Sequence, residues 1–276
     1  MINAYYDGIY SNIEDVKIGL HDRSVYFGDA IYEVVLGGNR CCYQLERHLD
    51  RLYKNLDKIG VNHPNGMKEI IDRLIESSNT MFFYLYIQVS RRGKERLHAP
   101  ENYSDYVLLI TLNEASPEEY KKGVNITSLK DKRYEYCSIK TTNLLPSVLA
   151  SIFAQKNGCD EAVFIREGIV TECAKSNIFI IKNKNVYTHP LCDHILDGIT
   201  RENVLSLSSY LGLSVKEAPF SYDEMLAADE VFITSTTKLA RRVLQIDKTK
   251  LKCSDPSTLC AIQAKLYSDF LVQINL

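Results

Sequence analysis

The sequence predicts an α+β protein with two lobes. Three observations support this: β-prone segments alternate with turn residues in both halves, helical segments with one apolar face lie between them, and a polar stretch interrupts the chain near its middle. That stretch, NEASPEEYKKGV at residues 113–124, contains a proline and is typical of a linker. The predicted domains are therefore residues 1–117 and residues 118–276.

The N-terminal lobe begins with two predicted hairpins. β-prone residues flank Asp7-Gly8 and Gly37-Gly38-Asn39, and both sequences favour tight turns. Next comes LERHLDRLYKNLDKIG, whose leucines recur at spacings of four and three residues; this predicts a helix with one apolar face that ends at Gly60. A second helix is predicted for MKEIIDRLIESSN, and strands are predicted for MFFYLYIQVSR and YVLLITL.

The C-terminal lobe begins with two candidate strands, VNITSLK and YEYCSIK. A helix is predicted from Pro146 to Gly158, and hairpins are predicted to turn at Glu167-Gly168 and at residues 183–185. A further helix begins near Gly198, and the sequence SYDE forms a capping box for a shorter one. The strand EVFITSTT and an amphipathic C-terminal helix complete the lobe.

Composition and charge narrow the class of protein. The chain has 276 residues, 45% of them hydrophobic, and its net charge of -2 does not favour binding to nucleic acid or to an anionic membrane. The N-terminal residues MINAYYDGIY lack the features of a secretory signal, and the longest apolar run is too short for a membrane-spanning helix. The eight cysteines form no C-x-x-C motif and show no metal-ligand spacing with histidine. Free thiols predict a reducing cytoplasm, and no metal is expected.

Several segments could bind an anion. Gly198-Ile199-Thr200 offers backbone N–H groups at a helix N-terminus, TSTT at residues 234–237 offers hydroxyls at a strand end, and Arg51 offers a planar cation. The loop RRGKERLHAP at residues 91–100 either is solvated or holds an anion. No dinucleotide fingerprint, P-loop, zinc-protease or nucleophile-elbow motif is present. From the residues alone, the anion site remains unassigned.

Six segments, taken in order, carry a family resemblance that covers nearly the whole chain. They are FGDAIYEVV, HLDRLYKNLDKIG, IKTTNLLPSVLA, GCDEAVFIREGIVTECAKSNIFII, DGITRENVL and FITSTT. Together they resemble the fold-type IV pyridoxal-phosphate enzymes, the class IV aminotransferases. The resemblance implies a two-domain α+β fold that binds pyridoxal 5'-phosphate between its lobes and assembles as a homodimer.

The resemblance also implies roles for single residues. Lys140, in IKTTNLL, matches the lysine that forms the Schiff base, a role that requires a neutral amine. Glu172, in VTECAKSN, matches the carboxylate facing the pyridine nitrogen, where a negative charge keeps that nitrogen protonated. The residues that match the phosphate-binding site are Arg51, Ile199, Thr200, Ser235 and Thr236.

Within the family, the chain is most similar to the D-amino acid aminotransferases. That branch carries an R-x-H pair after the corresponding strand, here Arg96-Leu97-His98, which with Tyr32 binds the substrate α-carboxylate. YEVV in the first segment also favours this branch, as does Leu145, where branched-chain enzymes carry tyrosine. Arg91, Arg92 and Lys94 are expected to be solvated.

The expected reaction converts D-alanine and 2-oxoglutarate into pyruvate and D-glutamate in a cytoplasmic enzyme. The alternatives within the fold are a 4-amino-4-deoxychorismate lyase and a branched-chain or (R)-amine transaminase. A fold-type IV protein that binds a metabolite or a partner without catalysis is a further alternative, which Lys140 and Glu172 disfavour.

Overall fold

The computed structural model describes residues 2–115, 122–252 and 256–276, and the chain divides into two compact units. Unit 1 comprises Met1–Pro117, Ile139–Asn143 and Leu271–Leu276, and unit 2 comprises the two remaining segments. The predicted linker lies partly outside the described residues. A compact unit need not fold as an independent domain. The boundary between the domains, at residues 117 and 118, therefore stays a prediction.

Unit 1 is built on a six-stranded antiparallel sheet with helices packed against it. The strands are β1 (Ala4–Tyr6), β2 (Ile9–Ser11), β3 (Ala30–Gly38), β4 (Cys41–Cys42), β5 (Phe82–Arg91) and β6 (Tyr106–Glu114). The helices are α1 (Arg23–Phe27), α2 (Leu45–Ile59) and α3 (Met67–Glu76). Among the described residues the strand order is β2-β1-β6-β5-β3-β4. The strand β3 therefore runs beside β5, and this pair carries much of the candidate site.

The core of unit 1 lies between this sheet and the apolar faces of α2 and α3. Leu52 and Leu56 of α2 are completely buried against side chains of β3 and β5 that include Val35 and Leu85. The helix ends as predicted at Gly60, whose φ of +69° is a conformation that glycine adopts without strain. The predicted helices α2 and α3 and the strands β5 and β6 are confirmed.

The two predicted hairpins of unit 1 differ in outcome. The first is confirmed, with Asp7 and Gly8 at positive φ between β1 and β2. The second hairpin turns at Asn39-Arg40, later in the chain than predicted, so the predicted turn at Gly37-Gly38-Asn39 was wrong in position. Gly37 lies within β3, where a Cβ atom would be only 2.4 Å from the Phe83 ring. This glycine is required by close packing.

Unit 2 contains a larger mixed sheet. Its strands are β7 (Val124–Lys130), β8 (Glu161–Arg166), β9 (Ile169–Cys173), β10 (Asn177–Lys182), β11 (Asn185–Thr188), β12 (Ser214–Glu217), β13 (Glu230–Ser235), β14 (Leu239–Ile246) and β15 (Thr249–Lys250). The helices are α4 (Leu145–Lys156), α5 (Ile199–Tyr210), α6 (Tyr222–Leu226) and α7 (Ser257–Gln273), the last of which ends in unit 1. In the described residues the order is β12-β11-β10-β13-β14-β7-β8-β9, and β15 pairs with β14.

Most of the predicted elements of unit 2 are confirmed, including the hairpin at Glu167-Gly168 and the reciprocal capping box between Ser221 and Glu224. The predicted strand YEYCSIK was wrong. Residues 134–140 form no strand, because Tyr134 and Tyr136 are both exposed and the alternating residues therefore bury no face. The short elements α1, β12 and β15 and the eight-residue strand β14 were not predicted. In the described ranges, no helix combines the length and the apolar character needed to cross a membrane.

Candidate active site

The loop that carries Lys140 is held against the start of β3. The Lys140 carbonyl accepts a hydrogen bond from the Tyr32 N–H at 3.0 Å, and the Thr142 N–H donates to the Ala30 carbonyl at 3.1 Å. An isolated β-bridge also pairs Thr141 with this strand. These backbone contacts, which depend on no side chain, join two segments that are more than a hundred residues apart in the sequence.

Tyr32 forms the surface beside the Lys140 amine. Lys140 Nζ lies 4.4 Å from the centroid of the Tyr32 ring, a distance at which a cation and an aromatic face attract each other. Tyr86 of β5 stacks against Tyr32 with 5.7 Å between ring centroids, and its hydroxyl donates to Gln88 Oε1 at 2.7 Å. Burial raises the pKa of Tyr86 to about 12, so this hydroxyl stays protonated at neutral pH.

A buried ionic cluster joins β3 to α2. Glu33 is completely buried, and Arg51 donates from Nε and Nη2 to its two carboxylate oxygens at 2.7 and 2.8 Å. His48 Nδ1 lies 2.8 Å from Glu33 Oε2. Because His48 and Arg51 are three residues apart on a helix, they reach the same carboxylate from one side. Glu33 therefore fixes the orientation of the guanidinium that the sequence assigned to phosphate binding.

The charges in this cluster are strongly coupled. Burial alone would raise the pKa of Glu33, but the Arg51 guanidinium and the His48 hydrogen bond lower it to about 2. Burial lowers the pKa of His48, the hydrogen bond and the charge of Glu33 partly oppose this, and the charges of Arg51 and Lys140 lower it further. At neutral pH, Glu33 is thus ionised and His48 is neutral.

The loop that carries Arg96 and His98 packs on α1. The Arg96 guanidinium lies 5.9 Å from the Tyr26 ring centroid and 5.2 Å from that of Phe27, and the His98 ring centroid is 5.2 Å from that of Phe27. Both Arg96 and His98 are exposed. In the described part of the chain, neither of them forms a hydrogen bond or ring contact with Tyr32. The structure therefore does not bring the three predicted carboxylate ligands into direct contact.

The expectation that Arg91 is solvated was wrong, whereas the Arg92 side chain is 38% exposed and also forms ion pairs. Arg91 Nε donates to Asp29 Oδ2 at 2.9 Å and its Nη2 donates to the Ile59 carbonyl at 2.8 Å. Arg92 Nη1 donates to Asp7 Oδ2 at 2.9 Å, and its Nη2 donates to the Tyr106 carbonyl at 2.8 Å. The acceptors come from segments distant in sequence, so local composition did not indicate them. Lys94 is exposed as expected.

In unit 2, hydrogen-bond donors surround the carboxylate of Glu172 of β9. The Leu196 N–H donates to Oε2 at 3.0 Å and the Asn177 amide donates to the same oxygen at 3.1 Å. Arg133 Nη1 donates to Oε1. Donors of this kind favour the ionised carboxylate, which is the form needed to keep a facing ring nitrogen protonated.

Arg133 is itself held by a buried network. Its Nη2 donates to Asp131 Oδ2 at 3.0 Å and to the His194 carbonyl at 2.9 Å, and its guanidinium lies 4.4 Å from the Phe164 ring centroid. Burial disfavours the charged form of this guanidinium, but the carboxylates of Glu172 and Asp131 outweigh that effect and raise the pKa of Arg133. A fixed positive charge therefore faces Glu172.

The N-terminus of α5 lies next to the Glu172 environment. Leu196 and Gly198 lie two residues apart, and Asn177 donates to the Leu196 carbonyl at 2.8 Å. Gly198 is the N-cap residue of α5, and no side chain caps this helix. A Cβ atom on Gly198 would come within 2.1 Å of Asn177 Oδ1, so any larger residue here would force the Asn177 side chain to move. The buried residues Ile199 and Thr200 then form the first turn of a helix end that favours anions.

Hydroxyl groups lie where β13 ends beside this helix. Helix α5 packs against β13, and Thr234 on that strand pairs in register with Asn177. The Thr234 hydroxyl is buried and, among the described residues, has no hydrogen-bond partner. Ser235 ends the strand and Thr236 begins the turn to β14, and both are partly exposed. An uncapped helix end beside an unsatisfied hydroxyl fits a phosphate group.

The predicted site residues thus fall into two groups. Unit 1 contains Tyr32, Arg51, Arg96, His98 and Lys140, and unit 2 contains Glu172, Ile199, Thr200, Ser235 and Thr236.

The sequence interpretation missed Glu33, His48, Arg133 and Asn177. For Glu33 and His48, the available signal was the three-residue spacing of His48 and Arg51 on a predicted helix. No spacing in the sequence indicates that Arg133 faces Glu172, because 39 residues separate them. Among the described residues, no group of three or more His, Cys, Asp or Glu could hold a metal ion.

Comparison with known protein families gives a match over most of the chain. The family model for amino-transferase class IV matches residues 30–246. The D-alanine aminotransferase of Bacillus licheniformis is 34% identical, over 98% of this chain and 98% of its own length. The D-alanine aminotransferase of Listeria monocytogenes serotype 4b is 34% identical, over 95% of this chain and 92% of its own length.

Solved structures give the same fold. The chain resembles the branched-chain aminotransferase from Thermoproteus uzoniensis with norvaline (TM-score 0.87, 23% identity, 99% of this chain and 95% of that chain). It also resembles the T.th. branched-chain enzyme complexed with N-(5'-phosphopyridoxyl)-L-glutamate (0.85, 20%, 97% and 94%). A candidate 4-amino-4-deoxychorismate lyase from Legionella pneumophila is similar as well (0.84, 24%, 93% and 97%). At these identities the likeness confirms the predicted fold class.

Proposed function

The chain belongs to the class IV aminotransferases, and from that premise we propose that it transfers the amino group of a D-amino acid, such as D-alanine, to 2-oxoglutarate. The products are then pyruvate and D-glutamate. The observation that carries this proposal is the 34% identity to a D-alanine aminotransferase over 98% of both chains. The placement of the Lys140 amine beside Tyr32 supports it, because the reaction needs a lysine amine beside the substrate.

Pyridoxal 5'-phosphate is the proposed cofactor; when bound, it supplies a protonated pyridine ring that accepts the electron pair left as Cα loses its proton. Several residues fit its parts. The uncapped N-terminus of α5 at Ile199 and Thr200, with the hydroxyls of Ser235 and Thr236, suits a phosphate. Arg51 adds a cation that Glu33 orients. Glu172, held by Arg133 and Asn177, suits the ring nitrogen.

Lys140 carries the proton transfer in this proposal. Its amine would remove the proton from the substrate Cα and deliver it to the C4′ position of the bound cofactor, for which it must be neutral while it acts as a base. Tyr32 limits the positions of the amine through the ring contact at 4.4 Å. Backbone hydrogen bonds from Tyr32 and Thr142 anchor the lysine loop, so that the amine is positioned before substrate binds.

Arg96, His98 and Tyr32 are the proposed ligands of the substrate α-carboxylate. Arg96 offers two parallel N–H donors to a carboxylate, and no ion pair within the described residues engages it. A carboxylate held on that side would present the Cα–H of a D-amino acid to Lys140. Arg96 and His98 thus supply the selectivity for the D-enantiomer in this proposal.

A single half-reaction tests the proposal. The purified protein, loaded with pyridoxal phosphate, is mixed with D-alanine or with L-leucine in the absence of an acceptor, and the absorbance of the bound cofactor is followed. A change with D-alanine alone supports the proposal. A change with L-leucine alone would instead identify a branched-chain type of transaminase. If a loaded protein responds to neither, the lyase becomes the leading function, and release of pyruvate from aminodeoxychorismate tests it directly.

The proposed assembly is a homodimer, and the surface that supports it is one face of α4. Leu145, Val148, Leu149, Ile152 and Phe153 are all exposed, and their spacing of three and four residues places them on one stripe. A stripe without charge is suited to pack against its own copy across a two-fold axis. We also propose a cytoplasmic location, since the seven cysteines in the described residues are all unpaired.

A further inference from the structure

Arg23 is a buried cation that the proposed reaction does not use directly. It lies at the start of α1 and is only 5% exposed. Its Nε donates to Asp29 Oδ2 at 2.8 Å, and its guanidinium lies 4.4 Å from the centroid of the Phe27 ring. The two remaining nitrogens, Nη1 and Nη2, donate to the backbone carbonyls of Leu97 and His98. Three nitrogens of one guanidinium are therefore engaged.

The two carbonyls that Arg23 contacts belong to the Arg96-Leu97-His98 segment itself. This segment forms no strand or helix. Within it, the Leu97 N–H donates to the Glu95 carbonyl at 2.9 Å, and the loop is joined to the segment before α1 by the Gly93 N–H, which donates to the His21 carbonyl at 3.0 Å. The loop thus lacks the regular pairing that would hold its backbone. Arg23 provides the direct support at the two carbonyls next to the proposed carboxylate ligands.

The surrounding charges explain why Arg23 and Arg96 have different tasks. Asp29 forms an ion pair with Arg23, and the same carboxylate oxygen accepts from Arg91 at 2.9 Å, so the two guanidinium groups share one negative charge. Arg96 lies against the Phe27 ring as well, without an ion pair in the described residues. The buried Arg23, whose nitrogens Asp29 and two carbonyls already engage, is suited to hold backbone, and the exposed Arg96 is suited to meet an incoming anion.

We propose that Arg23 is a positioning residue for the substrate carboxylate: by holding the carbonyls of Leu97 and His98, it fixes where Arg96 and His98 present their donors. This inference rests on the proposed function, because it assumes that this pair binds the α-carboxylate. Lysine cannot replace Arg23, since a single ammonium group cannot reach Asp29 and both carbonyls in the same planar arrangement.

The test compares steady-state kinetics of the holoenzyme with D-alanine for Arg23→Lys and Arg23→Gln. Loss of charge-assisted hydrogen bonds to the loop is expected to raise KM roughly tenfold, with kcat near that of the wild type. The matched control is Arg92→Lys, which alters an arginine at the base of the same loop whose partners are Asp7, Asp105 and the Tyr106 carbonyl. Its KM should stay near the wild-type value. Cofactor absorbance and thermal unfolding verify that each variant is folded and loaded.

A double-mutant comparison separates positioning from general destabilisation. In a background that carries Arg96→Ala and His98→Ala, Arg23→Lys should have little further effect on KM, since the side chains through which it acts are gone. The same KM increase in both backgrounds, an equal increase for Arg92→Lys, or an unchanged KM for the folded Arg23 variants would overturn the inference. If the Arg96 and His98 substitutions themselves leave KM unchanged, the proposed carboxylate site fails, and the inference fails with it. If the Arg96 and His98 substitutions raise KM but the Arg23 variants leave it unchanged, only the inference about Arg23 is refuted.

Discussion

Replacing Glu33 by glutamine should destabilise the fold strongly, although the two side chains have nearly the same shape. Glu33 is completely buried, and its two carboxylate oxygens accept from Arg51 at 2.7 and 2.8 Å. Its pKa is lowered from 4.5 to about 2, a difference that corresponds to roughly 3 kcal/mol of unfolding free energy at neutral pH. Glutamine removes this charge and places an NH₂ group where the cluster supplies only donors.

The pH dependence gives the prediction a sign. A carboxyl with a lowered pKa in the folded state contributes its full stability above the unfolded pKa of 4.5, and this stability is lost as the pH falls toward about 2. The difference between wild type and Glu33→Gln should therefore be constant at and above about pH 6 and smaller at about pH 3.5. Urea denaturation at each pH measures it. Pyridoxal phosphate should also bind less tightly to the variant, because Arg51 loses its orienting partner.

Glu161 provides a matched control, since it is a buried glutamate whose pKa is shifted in the opposite direction. It is also completely buried, but burial raises its pKa, and Ser176 donates to it at 3.0 Å. A carboxyl with a raised pKa lowers the unfolding free energy of the protein as the pH rises. Glu161→Gln should therefore leave that free energy unchanged or increase it at about pH 7. A loss below about 1 kcal/mol for Glu33→Gln, or equal losses for the two variants, would refute the reasoning.

Four further outcomes are expected. Lys140→Ala should abolish covalent attachment of the cofactor, measured as the loss of its bound absorbance and of any mass increase after borohydride reduction. Arg96→Ala should raise KM for D-alanine by a factor corresponding to about 2 kcal/mol, the lower end for a broken charge pair because Arg96 is exposed, while cofactor affinity is unchanged. Gly198→Ala should weaken cofactor binding and cost about 1–3 kcal/mol of stability, because its Cβ would displace Asn177; a normal affinity in titration would contradict this. Leu149→Glu should yield a monomer in sedimentation analysis, and a variant that sediments like the wild type would exclude α4 from the interface.

The sequence by itself was sufficient for the local elements. Helix α2 follows from the spacing of its leucines and from Gly60, and the Glu167-Gly168 hairpin follows from its turn residues, because both signals act between residues a few positions apart. The segments that carry the family resemblance also identified Lys140 and Glu172 as candidates. These segments carry the same residue types as the family at the matching positions, and the chemistry of the family depends on those residue types.

Only the tertiary structure could decide which side chains meet. Residues 133, 177 and 196 donate hydrogen bonds to Glu172, and the carbonyls held by Arg23 lie more than seventy residues away from it. The same holds for Gly37, which resembled a turn residue but is required by the Phe83 ring. A pattern of neighbouring residues describes how a segment folds, whereas ion pairs and close packing depend on which segments the strand order places side by side. That order is set by the burial of the whole core, and no single stretch of the sequence contains it.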